Sequence, residues 1–441
     1  MTKVRIDPVE GLRGTLRPPP DKSISHRCAL VATMTMDPVR VHNYLDAGDT
    51  NATLDAIRSV GAVVENRPDE LVIRGTGLRA AGEADAPIDV RNAGTLMRLL
   101  PGWLAGQPGG LHWTIDGDAS IRRRPVDRIA EPLRLMGATV ECRDERLPPL
   151  RVEGADLAGI SYELPVASAQ VKSCVLLAGL LADGETRVTE PAPSRDHTER
   201  MLRAAGAVVE VTDTASLATA RSPSRPRVSV PRAESLNLGS VVVPGDLSSA
   251  AFLVAAALLV RGSDVALVDV GLNPTRSGFL GIVNRMGGAL EVDERAAGGN
   301  EPRGTIRARS GPLVGTRLGA AEVPLTIDEL PLVALLGCFA EGETVVTGAA
   351  ELRHTESDRI ANVVDGLGGL GAEIEALEDG FVVRGTGGLR GGTIDAQGDH
   401  RLAMLGAVAG LASTEGVEVR GMDAAGVSYP GFERDLEGLL T

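Results

Sequence analysis

Ile57-Arg58-Ser59-Val60-Gly61-Ala62-Val63-Val64-Glu65 is one copy of a phrase that recurs through this 441-residue chain. An amphipathic helical stretch runs into a glycine, and a small residue and an alternating run then reach a glutamate. The phrase returns at Leu135-Met136-Gly137-Ala138-Thr139-Val140-Glu141, at Ala204-Ala205-Gly206-Ala207-Val208-Val209-Glu210, at Arg285-Met286-Gly287-Gly288-Ala289-Leu290-Glu291 and at Gly369-Leu370-Gly371-Ala372-Glu373-Ile374-Glu375. Glycine in that place predicts the left-handed stop of a helix, and the alternation after it predicts a strand. Intervals of about 70 to 85 residues are too long for a solenoid and suit a repeated βαβ-type subunit.

Between these copies a second phrase occurs six times: a polar or glycine-rich turn that opens an apolar helix. The turns are residues 21–27, 91–95, 167–170, 244–249, 326–329 and 397–401. Helices apolar on all sides belong inside a domain, with sheets packed around them. Six copies predict two domains of three subunits each, with helix N-termini facing one cleft. Such ends carry unpaired N–H groups and positive dipoles, which seat anions. The first turn, Pro19-Pro20-Asp21-Lys22-Ser23-Ile24-Ser25-His26-Arg27, adds two full positive charges. Lysine occurs only at Lys3, Lys22 and Lys172, so the one in this turn points to a need for a compact ammonium rather than a guanidinium.

The expected boundaries are residues 21–240 for an N-terminal substrate domain and residues 1–20 plus 241–441 for a C-terminal domain, with two crossovers as the hinge. The strand-like stretches Val4 to Leu16 and Leu238 to Val243 precede those crossovers, and residues 220–227 and 295–303 read as surface loops.

Composition narrows the function. The chain is 43% hydrophobic and 24% charged, as in ordinary globular proteins. A net charge of -14 argues against a nucleic-acid or acidic-membrane partner, so any bound anion must be held by a local pocket. Cys28, Cys142, Cys174 and Cys338 lie far apart with no Cys-x-x-Cys pair, which predicts reduced thiols in a cytoplasmic protein rather than a disulfide or metal framework. The longest apolar run, Ala250 to Val260, is too short to span a bilayer, and no signal-peptide pattern opens the chain.

Singly, the turns are weak signals. In order, residues 21–27, Asn92 to Arg98, Arg124-Pro125, Ala167 to Gln170, Gly245 to Ser249, Glu356 to Arg359 and Asp399-His400-Arg401 resemble the motif set of the 5-enolpyruvylshikimate-3-phosphate synthase family of enolpyruvyl transferases. The resemblance covers nearly the whole chain. It implies an α/β fold of two domains, each of three βαβαββ units with apolar helices inside and sheets outside, an inside-out α/β barrel, closing over a cleft.

It also implies a reaction: the enolpyruvyl group of phosphoenolpyruvate passes to the 5-hydroxyl of shikimate 3-phosphate, and phosphate is released. That chemistry protonates a methylene carbon while a hydroxyl loses its proton, so two carboxyl groups and a set of anion clamps suffice, with no cofactor and no metal. By resemblance Asp328 is the base near the hydroxyl, Glu356 passes a proton at the methylene carbon, and Lys22 completes the catalytic set. Taken alone, Asp328 reads as a helix N-cap and Glu356 as a surface glutamate. Phosphoenolpyruvate is assigned to Lys22, Asn92, Gly94, Arg124, Gln170, Arg359 and Arg401, whose forks suit its carboxylate and phosphate. Arg123 adjoins Arg124 and competes with it for that role. Shikimate 3-phosphate is assigned to Lys22, Ser23, Arg27, Ser168, Ala169 through its backbone, Gln170, Ser194, Arg195, Asp328 and Thr355. Asp46 and Asp49 resemble a family turn near the cleft, and His400 is given no proton-transfer role. The expected partners are these two small molecules, the expected state a monomer.

The sequence departs from the family at Thr355, where many members carry a lysine reaching the substrate phosphate; Arg195 or His354 could compensate. Near Val427, too, a lysine of some members is absent. The family's inhibitor glyphosate occupies the phosphoenolpyruvate site, and Gly94 leaves room for it where insensitive members often have alanine. Two other readings compete: the sister transferase acting on UDP-N-acetylglucosamine, which uses a reactive loop cysteine, and a non-catalytic binder of phosphorylated metabolites.

Overall fold

The computed structural model describes residues 2–213, 225–295 and 301–440. The helices among them alternate in kind. α1 (Lys22–Thr33), α3 (Gly94–Ala105), α5 (Ala169–Gly179), α7 (Leu247–Leu259), α9 (Leu330–Phe339) and α11 (His400–Ala412) are buried nearly all round. In α7 every residue from Leu247 to Leu258 is buried. Between them, α2 (Gly48–Ser59), α4 (Asp127–Leu135), α6 (His197–Ala204), α8 (Gly278–Arg285), α10 (Arg359–Gly369) and α12 (Phe432–Glu437) bury one side only. The six polar or glycine-rich turns read from the sequence therefore each open a core helix.

The recurring glycines behave as local chemistry demands. Gly61, Gly137, Gly206, Gly287 and Gly371 sit at φ of 104°, 102°, 87°, 80° and 98°, where a side chain would be strained. Strands follow at Val63–Asn66, Thr139–Arg143, Glu210–Asp213, Ala289–Arg295 and Glu373–Leu377.

Among the described residues five sheets have four strands and share one pairing pattern, a parallel pair and then two strands added antiparallel; in three of them the parallel pair flanks a core helix in sequence. Ile88–Asp89 and His112–Asp116 are parallel across α3, and Leu147–Glu153 and Thr139–Arg143 complete that sheet. This is the βαβαββ unit. Two units take their first strand from elsewhere in the chain. Arg13–Leu16, which precedes α1, pairs with Asp264–Gly271, whereas Ser240–Val242, which precedes α7, pairs with Val39–His42. The sixth sheet has Gly392–Asp395 parallel to Val417–Arg420, with the N-terminal strand Lys3–Ile6 antiparallel on the other edge. None of the described sheets closes on itself, so the arrangement is one of separate sheets around helices rather than a single hydrogen-bonded barrel.

Contacts divide the described residues into a unit within 20–243 and a second comprising 2–19, 244–295 and 301–440. Each has its own apolar core. The first centres on residues such as Leu100, Trp103 and Leu176, the second on Leu253, Leu335 and Leu405. Burying each such side chain stabilises its unit by about 1.5–3 kcal/mol. α3 and α5 pack closely because Gly102 has no Cβ, which would collide with the Cys174 carbonyl oxygen.

The loop readings of residues 220–227 and 295–303 fall partly outside the described residues. Where described, their ends are strand: Pro226–Pro231 begins inside the first, and Ala289–Arg295 and Arg303–Arg309 flank the second. Pairing satisfies backbone groups there that polar side chains alone made look like a loop. No helix of the described residues is long and apolar enough to cross a membrane.

Candidate active site

The turn at residues 19–27 caps α1 as its sequence requires, with Asp21 accepting a hydrogen bond from the Ile24 N–H at 2.8 Å. Lys22 is the first helical residue, and its Nζ lies 3.0 Å from Asp49 Oδ2 at the start of α2. Asp49 is buried, whereas Asp46 is exposed and accepts from Asn51. One turn on, Arg27 is buried. Its Nε donates to Thr198 Oγ1 at 2.7 Å, Nη1 to the Ser23 carbonyl at 3.0 Å and Nη2 to Ser173 Oγ at 3.2 Å. His26, between these cations, is held well below its usual pKa by burial first and then by Lys22 and Arg27, so it is a neutral ring.

The start of α3 carries a second cationic group. Arg124 Nη2 donates to Asn92 Oδ1 at 2.9 Å and to Ser120 Oγ at 3.0 Å, while Asn92 Nδ2 donates to Asp118 Oδ2 at 2.7 Å. Gly94 opens the helix, and a Cβ there would lie 2.9 Å from Arg124 Nη1 and 3.1 Å from Arg98 Nη1. Arg123 is exposed and Arg124 buried, which separates the two neighbours that sequence leaves open. Gln170, at the start of α5, donates to Thr95 Oγ1 at 3.1 Å and so ties the two helix N-termini together. Ser168 is the N-cap of α5, accepting from the Val171 N–H at 3.3 Å, and Ala169 is its first residue. Ser194 is buried and donates to Glu190, and the partly buried Arg195 follows it.

The other unit holds a set built on one guanidinium. Arg359, 2% exposed, begins α10; its Nε donates to Asp399 Oδ2 at 2.8 Å and its Nη2 to Glu356 Oε2 at 2.6 Å. Its Nη1 stands 3.5 Å from Asp328 Oδ1, and Arg401 Nη2 stands 3.3 Å from Asp328 Oδ2. Arg401 Nη1 also donates to the Asp328 carbonyl at 3.1 Å. Burial pushes the Arg359 pKa down, but Asp399 and Glu356 more than offset this and raise it. Burial likewise pushes Asp399 up, and Arg359 beside it reverses that and holds it below the usual carboxylate value.

Asp328 is not an N-cap: it lies in a short 3-10 turn, Ile327–Glu329, and α9 starts after it. Its side chain is 20% exposed and that of Glu356 24%, against 0% for Asp399. Two carboxyl groups thus reach water while the third is spent on orienting the guanidinium. Thr355 donates within its own loop, to the carbonyls of Leu352 at 3.2 Å and Ser357 at 3.0 Å. His354 is exposed, and His400 is the buried first residue of α11. Asp399 was legible only as part of a motif; its place before a core helix marks a cap, but nothing in the sequence pairs it with a guanidinium 40 residues earlier.

None of the cysteines is in a disulfide. Cys142 lies in a strand, and burial pushes its thiol up to about 11, the opposite of an activated nucleophile. Among the described residues no three His, Cys, Asp or Glu side chains gather into a metal-binding group.

A sequence model of the EPSP synthase family (3-phosphoshikimate 1-carboxyvinyltransferase) matches residues 6–436. The 3-phosphoshikimate 1-carboxyvinyltransferase of Desulforudis audaxviator (strain MP104C) is 45% identical, covering 99% of each chain, and that of Bacillus subtilis (strain 168) 42%, again over 99% of each. The solved EPSP synthase from Acinetobacter baumannii superposes with a TM-score of 0.85 at 39% identity, over 99% of this chain and 98% of that one. The enolpyruvyl transferase NikO from Streptomyces tendae shares the fold, with a TM-score of 0.78 at 19% identity, over 99% of this chain and 96% of that one. The chain belongs to the EPSP synthase family, the 3-phosphoshikimate 1-carboxyvinyltransferases, and its function is the family's enolpyruvyl transfer between two small-molecule substrates in the shikimate pathway.

Proposed function

We propose that the residues described above divide that reaction as follows. Ser23, Arg27, Ser168, the Ala169 backbone, Gln170, Ser194, Arg195, Asp328 and Thr355 hold shikimate 3-phosphate, while Asn92, Gly94, Arg124, Gln170, Arg359 and Arg401 hold phosphoenolpyruvate. Lys22 serves both substrates, as the one lysine at a core-helix N-terminus. Asp328 takes the proton of the 5-hydroxyl as that oxygen bonds to the central carbon of phosphoenolpyruvate. Glu356 delivers a proton to the methylene carbon, which becomes a methyl group in a tetrahedral intermediate. In the second half a proton leaves that methyl group, the double bond re-forms, and phosphate departs with the electron pair of its bond to carbon. No cofactor enters, and the working form is a monomer in the cytoplasm that binds no nucleic acid.

The observation that carries this reading is Arg359, one buried guanidinium that bonds Asp399 and Glu356 and approaches Asp328 within 3.5 Å. Positioned carboxyl groups of this kind contribute about 10²–10⁴-fold each by proton transfer. The test is phosphate release by the purified protein, in EDTA, from phosphoenolpyruvate offered with shikimate 3-phosphate or with UDP-N-acetylglucosamine. Release with the first alone, lost in Glu356→Gln and Lys22→Met, is expected. Release that persists undiminished in both variants would remove these roles.

A further inference from the structure

Lys172 has 1% of its side chain exposed, in a chain with only three lysines. Its Nζ lies 2.8 Å from Glu190 Oε2 and 2.7 Å from Glu199 Oε1, and those carboxylates are 1% and 2% exposed. Burial pushes the ammonium toward neutrality, but Glu199 and Glu190 more than offset it, so Lys172 stays charged. Withdrawing three ionisable groups from water is expensive, and well-packed apolar residues of similar volume would serve stability as well. The triad therefore calls for a purpose other than stability.

What it holds is the Ser194 turn. Glu190 accepts the Ser194 hydroxyl through its second oxygen, and Lys172 Nζ reaches the Ser194 carbonyl at 3.4 Å. Glu199 follows Thr198 in α6, and the Thr198 hydroxyl takes the Arg27 Nε at 2.7 Å and lies 2.6 Å from Ser173 Oγ. Lys172 itself stands two residues after Gln170 in α5 and one before Ser173, whose hydroxyl donates to the Ala169 carbonyl at 2.6 Å. One ammonium thus pins the start of α5, the 190–195 turn and the start of α6, all within one unit.

We infer that Lys172, Glu190 and Glu199 are positioning residues for shikimate 3-phosphate. They fix Ser194 and, through Thr198 and Ser173, Arg27 before the substrate arrives, so that its phosphate meets a preset site rather than a turn it must order. The inference rests on the proposed assignment of Ser194 and Arg27 to that substrate.

Steady-state kinetics with both substrates varied tests it. Glu190→Gln keeps the side-chain shape but removes the charge that holds Lys172 and Ser194. It is expected to raise KM for shikimate 3-phosphate about tenfold while KM for phosphoenolpyruvate stays within about twofold. Ser194→Ala should raise the same KM, and the double variant should be no worse than the worse single one, because both act through one contact. A wild-type KM in Ser194→Ala removes the assignment of Ser194 itself. A raised KM in Ser194→Ala beside a wild-type KM in Glu190→Gln, or equal rises in both KM values, overturns the positioning role alone. Should Glu190→Gln not fold, Glu190→Asp retains the charge and withdraws the acceptor by one methylene. The same selective rise is then expected, and a wild-type KM overturns the inference.

Discussion

Arg359 and Asp399 are 40 positions apart in sequence and face each other in the structure, with Nε 2.8 Å from Oδ2 and Nη2 3.2 Å from Oδ1. Both side chains are out of water, at 2% and 0% exposure. Asp399 also caps α11 through the Arg401 N–H at 2.9 Å and accepts the Ser357 hydroxyl at 2.9 Å. A single carboxylate therefore aims one guanidinium, starts the helix that carries another, and ties down the residue after Glu356.

Asp399→Asn leaves the buried guanidinium short of a counter-charge. The expected cost is about 3–5 kcal/mol at neutral pH, the range for breaking a buried pair. Because the folded pKa of Asp399 is depressed, its contribution is complete above the ordinary value of 3.8 and is lost as pH falls through the folded value. Urea unfolding of both proteins at successively lower pH should show the gap between them narrowing in acid. A gap that widens there would contradict the pairing.

Asp328→Asn and Glu356→Gln keep shape while removing, respectively, the group that takes a proton and the group that delivers one. Each is expected to lower kcat by about 10²–10⁴ with substrate binding largely retained. Isothermal titration beside the kinetics makes the distinction: loss of affinity with kcat intact would assign these residues to binding instead.

Gly94→Ala places a methyl group 2.9 Å from Arg124 Nη1 and 3.1 Å from Arg98 Nη1. Both neighbours are ends of flexible side chains, so the fold should survive while the guanidinium of Arg124 is displaced. KM for phosphoenolpyruvate is expected to rise several-fold and the inhibition constant of glyphosate by a larger factor. Inhibition constants that do not differ would count against it.

Gly102→Ala is a stability test of the contact between α3 and α5. Here the added carbon meets the Cys174 backbone, which has no flexible end to swing aside. A loss of about 1–3 kcal/mol is expected from overpacking, read from the urea midpoint at unchanged slope. A wild-type midpoint would mean that the helices separate without cost.

Cys142 should be inert. With its thiol pushed up to about 11 by burial, roughly one molecule in a thousand carries the thiolate at pH 8. Iodoacetamide at that pH is expected to leave phosphate release intact. Rapid inactivation traced to Cys142 by mass spectrometry would revive a cysteine-dependent reading.

Much of the fold was written locally. The five glycines that end helices, the side-chain caps at Asp21, Ser168, Asp246 and Asp399, and the apolar composition of α7 and α9 act within a turn or two of chain, so their sequence signals are complete in themselves. The order of motifs likewise carried the family and its reaction. Strand partnership was not local: the alternation in Arg13–Leu16 and Ser240–Val242 says that each has a face to bury, but only the packed sheets decide that each joins the sheet of a helix it does not precede. Charge partnership was not local either. Arg124 is distinguished from Arg123 by burial, Asp328 is a turn residue rather than a cap, and Lys172 owes its charge to Glu190 and Glu199. Caps and helix stops depend on dihedral angles that neighbouring residues set, whereas ion pairs and pKa values depend on distance and water exclusion, which exist only once the chain has packed.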